Sequence, residues 1–314
     1  MIFKSSVALN IKKQNLIDYL AQRFTYLNNA QWAERVRAGK IHVNGKRSEE
    51  TDSVYAEDVV AYDAGDFEEP CADLNYTIDY EDQWILGVNK PGNLLVHRAG
   101  RSFRNNLIYQ LRKSMFPQAN AVHRLDRETS GMVIVAKNRE AMSCFAEEFR
   151  KGNVQKVYRA VVHGKVKDVI RQIEKPILKD KDSSVSHKFK VGESGKPAVT
   201  EILQTQPIGE NASLLKLRPL TGRTHQIRVH LVSEGHPVIG DKLYSLTQEK
   251  YLRWLDDPKR IPQELLIKRQ ALHCESLRFT HPFTNKEVVL SAPVADDMKN
   301  LIRELGRKDS ELKI

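Results

Sequence analysis

The apolar run Met132–Ala136 directly follows a densely charged loop, and this pairing limits the possible folds more than any other stretch of the chain. The run reads Met-Val-Ile-Val-Ala, which predicts a short buried strand. The loop before it, residues 123–131, reads His-Arg-Leu-Asp-Arg-Glu-Thr-Ser-Gly. A rigid sheet can aim the side chains of a loop at the end of one of its strands, so such loops often carry chemistry. We therefore expect the functional centre of the protein beside this strand.

Asp126 is the residue of this loop that is best suited to chemistry. Arg124 and Arg127 flank it in the sequence, and nearby cations keep a carboxylate ionised even where water is excluded. An ionised, partly desolvated Asp can act as a nucleophile or as a base. An ion pair that only stabilises a turn would produce the same pattern, so the residues alone leave both interpretations open.

Three motifs resemble those of one enzyme family. Residues 123–131 resemble the central motif of the RluA-type pseudouridine synthases, and Lys-Val-Tyr-Arg-Ala at 156–160 resembles that family's K-x-Y-x-A element. The family's third element is resembled by residues 220–230, which read Leu-Thr-Gly-Arg-Thr-His-Gln-Ile-Arg-Val-His. The three motifs follow one another along the chain in the same order as in the family. With the flanking Asn-Lys-Pro-Gly at 89–92 and Gly-His-Pro-Val-Ile-Gly-Asp at 235–241, the likeness extends over most of the chain. It implies an isomerase that converts uridine to pseudouridine in RNA.

The resemblance also implies roles for three residues. Asp126 is the catalytic carboxylate, as nucleophile or base, and Arg228 pairs with it and keeps it charged away from water. Tyr158 stacks on the target uracil, which must leave the RNA helix to react. A tyrosine on a predicted strand is also commonly a core residue.

Other basic side chains in the motifs are expected to bind RNA phosphates or to flank the uridine pocket. Arg223 precedes a predicted helix over residues 224–234, and the N-terminus of a helix attracts anions. Arg124 could instead enter the RNA and take the place of the extruded base. The full set in the catalytic region is Arg124, Arg127, Lys156, Arg223 and His225.

The first 63 residues are expected to form a separate RNA-binding domain. Two short helices precede the hairpin signal Asn44-Gly45, and Gly39 to Gly45 resembles the G-x-x-x-VNG element of the small domain first known from ribosomal protein S-four. We expect Arg35, Lys40 and Lys46 to contact RNA. A docking module for another protein would fit the same pattern.

The distribution of charge supports a polyanionic partner. Thirteen of the 40 acidic residues and none of the 50 basic residues lie between positions 48 and 89, so the rest of the chain is much more basic than the formal net charge of +10 indicates. A solvated surface is the plainer explanation of such charge. We predict an acidic linker over 64–75, a catalytic domain over 76–306 and a frayed tail over 307–314. Strands and helices alternate without a regular βαβ repeat, which predicts an α+β fold with a mixed, largely antiparallel sheet.

Neither a metal nor a cofactor is expected. The sequence contains no GxGxxG or GxxxxGK[ST] loop and no pair of CxxC motifs, and its three cysteines are far apart. No apolar stretch is long enough for a signal peptide or a membrane span, so we expect a cytoplasmic protein, and we expect a monomer.

The predicted partner is structured RNA. Large-subunit ribosomal RNA is favoured because the N-terminal domain resembles arrangements in family members that act on it, and transfer RNA stays possible. A noncatalytic ribosome-assembly factor is the main alternative, although such a factor has no use for Asp126, Arg228 and Tyr158 together. An RNA methyltransferase would need a glycine-rich cofactor loop that the sequence lacks.

Overall fold

The computed structural model describes residues 2–24, 27–63, 65, 69–167, 171–258, 262 and 264–311. Its contacts divide the chain into a first unit, Met1–Cys71 with Arg98–Asn105, and a second unit, Ala72–His97 with Asn106–Ile314. The elements of the first unit, in chain order, are β1 (Ile2–Ser6), β2 (Gln14–Asn15), α1 (Leu16–Arg23), α2 (Asn29–Arg37), β3 (Ile41–Val43), β4 (Lys46–Arg47), β5 (Ser53–Val54) and β6 (Val59–Asp63).

The first unit has its own sheet and its own core. Strands β1, β6, β3 and β4 form an antiparallel sheet in that order, and the side chains of Leu16, Leu20 and Trp32 are fully buried among its core residues. Asn44 and Gly45 both have positive φ angles, 51° and 80°, as the tight turn of a two-residue hairpin requires. The predicted hairpin is therefore present.

The segment Arg98–Asn105 packs with the first unit, whereas we expected the catalytic domain to run without interruption from residue 76. The carboxylate of Glu69 accepts hydrogen bonds from the backbone N–H groups of Phe103, Arg104 and Asn105 at 2.8 to 2.9 Å. The ring of Phe103 stacks on that of Phe3 at 3.9 Å. These long-range contacts have no signature in the local sequence.

The second unit contains most of the secondary structure. Its elements are β7 (Thr77–Glu81), β8 (Ile85–Lys90), α3 (Leu107–Lys113), β9 (Asn120–Ala121), β10 (Ser130–Ala136), α4 (Arg139–Lys151), β11 (Gln155–His163), β12 (Gln172–Glu174), β13 (Ile177–Lys179), β14 (Phe189–Val191), β15 (Val199–Ile208), β16 (Ala212–Pro219), α5 (Gln226–Ser233), α6 (Lys242–Ser245), α7 (Gln248–Asp256), β17 (Leu272–Thr280), β18 (Glu287–Ser291) and α8 (Asp296–Glu311).

One ten-stranded sheet organises this unit. Its main order is β12, β15, β16, β11, β17, β10, β8 and β7, with β18 beside β17 and β9 beside β10. Among the strand pairings of this sheet in the described residues, that of β10 with β17 is parallel and the others are antiparallel. The predicted mixed, largely antiparallel α+β sheet is confirmed.

The charged loop ends where the two parallel strands approach closely. Gly131 has φ +112°, and a Cβ atom there would lie 2.2 Å from the carbonyl oxygen of Cys274 on β17. Only glycine fits at this position. The predicted buried strand is β10, all of whose residues are buried. Two hydrophobic clusters pack on the sheet, and Tyr158 on β11 contacts both.

Some local predictions differ from the structure. The run Leu-Leu-Val-His at 94–97 by itself predicts a short strand, but the carbonyl oxygens of Leu95 and Val96 instead accept hydrogen bonds from the first residues of α3. The helix predicted from residue 224 begins at Gln226, because His225 has a left-handed backbone conformation. Helix α8 continues to Glu311, five residues into the segment where we expected a frayed tail. Four residues of the predicted linker, 64 and 66–68, and the last three residues of the chain lie outside the described residues.

Candidate active site

A cavity of about 550 Å³ opens in the second unit beside the charged loop. Its walls come from the loop after β9, the end of α4, the start of β11, and the segment between β16 and α5. It thus brings together parts of all three sequence motifs. The predicted site residues on its walls are Arg124, Asp126, Lys156, Tyr158, Arg223, His225 and Arg228.

Asp126 and Arg228 form an ion pair in this cavity. The Oδ2 atom of Asp126 lies 2.8 Å from Nη1 of Arg228, although 102 residues separate the two in the chain. The Arg228 side chain is only 8% exposed, so its charge acts with little screening by water. The pairing that the sequence predicted is present.

Asp241 holds Arg228 in this position. Its carboxylate accepts two hydrogen bonds from Arg228, from Nε at 2.6 Å and from Nη2 at 2.9 Å. The same carboxylate caps α6 by accepting the N–H groups of Leu243 and Tyr244. Two opposed carboxylates therefore share one guanidinium group, and the bidentate contact with Asp241 fixes its plane. Asp241 was not predicted as a site residue, although it closes the motif at 235–241.

The charges of the site keep Asp126 ionised. Burial acts to raise the pKa of Asp126, but the charge of Arg228 and its hydrogen bond outweigh that effect, and the pKa lies below the ordinary value for an aspartate. The two carboxylates conversely raise the pKa of Arg228 in spite of its burial. The site thus combines a charged carboxylate with poor access to water.

Tyr158 lies in the wall of the cavity at a break in the β11–β17 register. The pairing shifts between Val157 and Tyr158, so that Tyr158 pairs with Cys274. Burial raises the pKa of the Tyr158 hydroxyl well above its usual value, and its contact with Cys274 adds to the effect. The hydroxyl is therefore neutral, and the ring belongs to both the core and the cavity.

The basic residues of the cavity differ in how firmly they are held. Lys156 donates to the carbonyl oxygen of Thr221 at 3.3 Å, and Arg223 donates from Nε to that of Pro197 at 2.9 Å. Arg124 is exposed and makes no hydrogen bond or ion pair with another described residue. Arg124 is thus the cation of the cavity that is best placed to reach outward.

Gln226 orders the segment between β16 and α5. Its amide donates to the carbonyl oxygen of Val199 and to the hydroxyl of Thr200, while its Oε1 accepts from Thr221 and from the backbone of Arg223. The side chain is almost completely buried. Four bonds to one amide fix the backbone that presents Arg223 and His225 to the cavity.

A buried lysine supports the charged loop from behind. Lys90 is fully buried and donates through Nζ to the carbonyl oxygens of Pro91, Leu94 and Arg127. Burial, helped by the charge of Arg269, lowers the pKa of Lys90 to about 7. Arg127 itself is not among the residues that line the cavity, so the structure does not place it beside the other predicted RNA contacts.

The remaining predicted residues lie in the first unit. Arg35 and Lys46 are exposed and Lys40 is half-buried, and none of the three forms a hydrogen bond or ion pair through its side chain with another described residue. In the described part of the chain, no group of three or more His, Cys, Asp or Glu side chains could hold a metal ion. The helices of that part include none that is both long and apolar enough to cross a membrane.

Comparison with known proteins identifies relatives along nearly the whole chain. Residues 85–233 match the model of a family described as RNA pseudouridylate synthase. The chain is 30% identical over 320 residues to ribosomal large subunit pseudouridine synthase C of Buchnera aphidicola, an alignment that covers 96% of this chain and 98% of that protein. It is 34% identical over 313 residues to ribosomal large subunit pseudouridine synthase D of Vibrio cholerae, which covers 95% and 93%.

A solved structure has the same fold. The chain is 28% identical to the human RNA pseudouridylate synthase domain containing 1, with a TM-score of 0.56, over 76% of this chain and 97% of the human one. The match to the family model includes the region of the cavity, since residues 85–233 contain Asp126, Tyr158 and Arg228.

Proposed function

The chain belongs to the RNA pseudouridylate synthase family and is an isomerase that acts on uridine in RNA, and from this premise we propose which residues carry the reaction and which RNA is the substrate. Asp126 is the catalytic carboxylate, Arg228 keeps it ionised, and Tyr158 stacks on the extruded uracil. The observation that carries this assignment is the buried ion pair between Asp126 and Arg228 on the wall of the cavity.

The chemistry requires an ionised group beside the sugar. The bond between N1 of uracil and C1′ of ribose breaks, the base turns, and C5 bonds to C1′, after which C5 loses its proton and N1 gains one. Asp126 acts either as the nucleophile at C1′ or as a base, and an ionised carboxylate serves both mechanisms. The reaction neither oxidises nor reduces the substrate, so we propose that no cofactor takes part.

The environment of Asp126 supports this role. The Asp126 carboxylate is mostly buried but keeps its charge, because Arg228 faces it and is itself held by Asp241. Fixed charges of this kind need no rearrangement during the reaction. A turn that only required an ion pair would not need the second carboxylate or the cavity.

Ribosomal RNA of the large subunit is the substrate that we propose. The relatives named above carry the words ribosomal large subunit in their names, and the alignments with them cover 93% or more of each protein. A transfer RNA is the alternative substrate. We also propose that the protein works as a cytoplasmic monomer.

We propose that the first unit is an S-four-like domain that holds the RNA. The hairpin at Asn44-Gly45 supports this assignment, as do the cations Arg35, Lys40 and Lys46, whose side chains form no hydrogen bond or ion pair with another described residue. Such cations are available to RNA phosphates. The unit would then raise affinity, while the cavity carries out the reaction.

A map of pseudouridines in total cellular RNA tests the proposal. Cells that lack the gene are compared with cells that carry the wild-type gene or its Asp126→Asn variant. We expect one or a few sites in large-subunit ribosomal RNA to disappear, and only the wild-type gene to restore them. Loss of sites in transfer RNA would contradict the proposed substrate, and an unchanged map in cells that normally express the protein would contradict the proposed function as a whole.

A further inference from the structure

His225 occupies a constrained position on the wall of the cavity, and the reaction as described above does not use it. Its backbone has φ 57° and ψ 18°, the left-handed conformation, directly before the first residue of α5. Residues other than glycine seldom adopt this conformation, and they do so most often where the surrounding structure enforces it at a functional site. The side chain is only 12% exposed.

A chain of hydrogen bonds determines which nitrogen of His225 carries the proton. The backbone N–H of Phe189 donates to the hydroxyl oxygen of Tyr244 at 3.1 Å, and that oxygen lies 2.9 Å from Nδ1 of His225. The hydroxyl has one hydrogen, and Nδ1 is the acceptor that the described residues offer it. We therefore assign the hydroxyl hydrogen of Tyr244 to Nδ1, which places the proton of the neutral ring on Nε2.

The charges around the ring favour the same tautomer. Nε2 of His225 lies 3.9 Å from Oδ1 of Asp126, so a proton on Nε2 faces a negative charge, whereas a lone pair there would be repelled. A second proton is disfavoured, because burial and then the charge of Arg228 lower the pKa of His225 to about 4. The rings of Phe189 and Tyr244 contact the imidazole edge to face and hold its plane.

We propose that His225 is a catalytic hydrogen-bond donor whose Nε2–H binds a carbonyl oxygen of the departing uracil, and that Tyr244 is a positioning residue that keeps the proton on Nε2. This inference rests on the function proposed above for Asp126. At 3.9 Å the Nε2–H group is too far from the carboxylate for a good hydrogen bond, which leaves its donor available to the substrate.

The chemistry of the reaction explains why a neutral donor is useful there. When the N1–C1′ bond breaks, its electron pair stays with the base, and the negative charge spreads to the carbonyl oxygens O2 and O4. An N–H group that already points into the cavity stabilises that charge as it develops. The proton stays on His225 throughout, so the balance of atoms in the isomerisation is unchanged. A charged imidazolium would instead pair with Asp126 and weaken its action.

Substitutions of His225 test the donor directly. His225→Gln can place an amide N–H near the position of Nε2, whereas His225→Leu cannot donate, and both residues are unbranched at Cβ and share the same backbone strain. On RNA that the wild type modifies, we expect kcat to fall by on the order of 10²-fold in His225→Leu. We expect a loss of about tenfold or less in His225→Gln, with KM nearly constant in both. Equal losses in the two variants would overturn the proposal, since a residue that only packs is not rescued by an amide.

Tyr244→Phe tests the positioning role. Without the hydroxyl, Nδ1 has no donor, and we expect the ¹⁵N chemical shifts of His225 to change from those of an Nε2–H ring to those of a mixture of tautomers, with kcat about tenfold lower. Tyr251→Phe is the matched control, because Tyr251 bonds to His187 at 2.8 Å and does not line the cavity. The control should leave both the shifts of His225 and kcat unchanged.

The ¹⁵N spectrum of the wild-type protein shows which nitrogen of His225 carries the proton, and it tests the proposal without any substrate. An Nδ1–H tautomer of His225 in the absence of RNA would overturn the proposal even if the enzyme is active. An Nε2–H tautomer in a protein that modifies no RNA would instead contradict the function proposed above. The two failures are thus distinguishable.

Discussion

The basic residues of the two units are arranged in opposite ways. Arg228 in the cavity is buried and shared between Asp126 and Asp241. Arg35 and Lys46 in the first unit are exposed, and their side chains bond to no other described residue. A cation that is already paired inside the protein sets the charge state of its partner, whereas a cation without a partner can bind a phosphate. Under the proposed function, the basic residues of one chain serve catalysis and RNA affinity separately.

The largest effect is expected from Asp126→Asn, which removes a charge and little volume. Turnover should fall by about 10⁴-fold or more, as for other reacting groups, while RNA binding should stay within about tenfold of wild type. Single-turnover kinetics and a filter-binding titration measure the two quantities. Glu201→Gln, which breaks an ion pair with Arg218 on the same sheet, is the control and should change neither. A large loss of binding in Asp126→Asn would indicate a structural aspartate.

A smaller but diagnostic effect is expected from Arg228→Gln. In this variant Asp126 stays buried but loses the positive charge of Arg228, so the pKa of Asp126 should rise above its ordinary value instead of lying below it. The carboxylate would then ionise only as the pH increases. We expect kcat at pH 7 to fall by on the order of 10²- to 10³-fold and to recover partly towards pH 9.

The matched control for this charge is Arg159→Gln. Arg159 also forms an ion pair in the second unit, with Glu275 at 2.9 Å, but it does not line the cavity. The pH dependence of kcat should match that of the wild type between pH 6 and 9. If Arg228→Gln behaves in the same way as this control, Arg228 does not govern the ionisation of Asp126.

Arg124→Ala examines a cation that combines properties of both regions, because it lines the cavity and yet forms no hydrogen bond or ion pair with another described residue. If Arg124 occupies the space of the extruded base, its loss should lower kcat/KM on a folded RNA by roughly 10- to 100-fold, the range of one stacking contact. A short unpaired RNA with the same target uridine should be affected much less. Full activity on folded RNA would rule out this role.

The smallest effect on the reaction is expected from the first unit. Replacing Arg35, Lys40 and Lys46 together by Gln should weaken RNA binding about tenfold near 0.1 M salt and reduce the slope of log affinity against log salt by about 2 to 3. The kcat at saturating RNA should stay unchanged. Replacement of three exposed lysines of the second unit, Lys113, Lys179 and Lys286, is the control for net charge. An equal loss of affinity in both triple variants would mean that the first unit has no special role.

Several local features, and the residues that meet in the cavity, could be predicted from the sequence. The run of apolar residues at 132–136 specified the buried strand, Asn44-Gly45 specified the tight hairpin, and the motif pattern pointed to Asp126 and Arg228. These predictions succeed because strand burial, positive φ angles and motif residues depend on neighbours in the chain.

The residues that hold the cavity side chains in place became evident from the tertiary structure alone. Asp241 binds Arg228, Lys90 binds the backbone of Arg127, and Tyr244 bonds to His225, and in each pair the two residues lie far apart in the sequence. The segment Arg98–Asn105 likewise belongs to the first unit, although the 26 residues Ala72–His97 separate it from the rest of that unit. Nothing in a local pattern encodes such pairs, because bringing distant side chains together depends on the packing of the whole sheet. The ion pair with Arg228 that lowers the pKa of Asp126, and the contact between Tyr244 and His225, form only when that packing is complete.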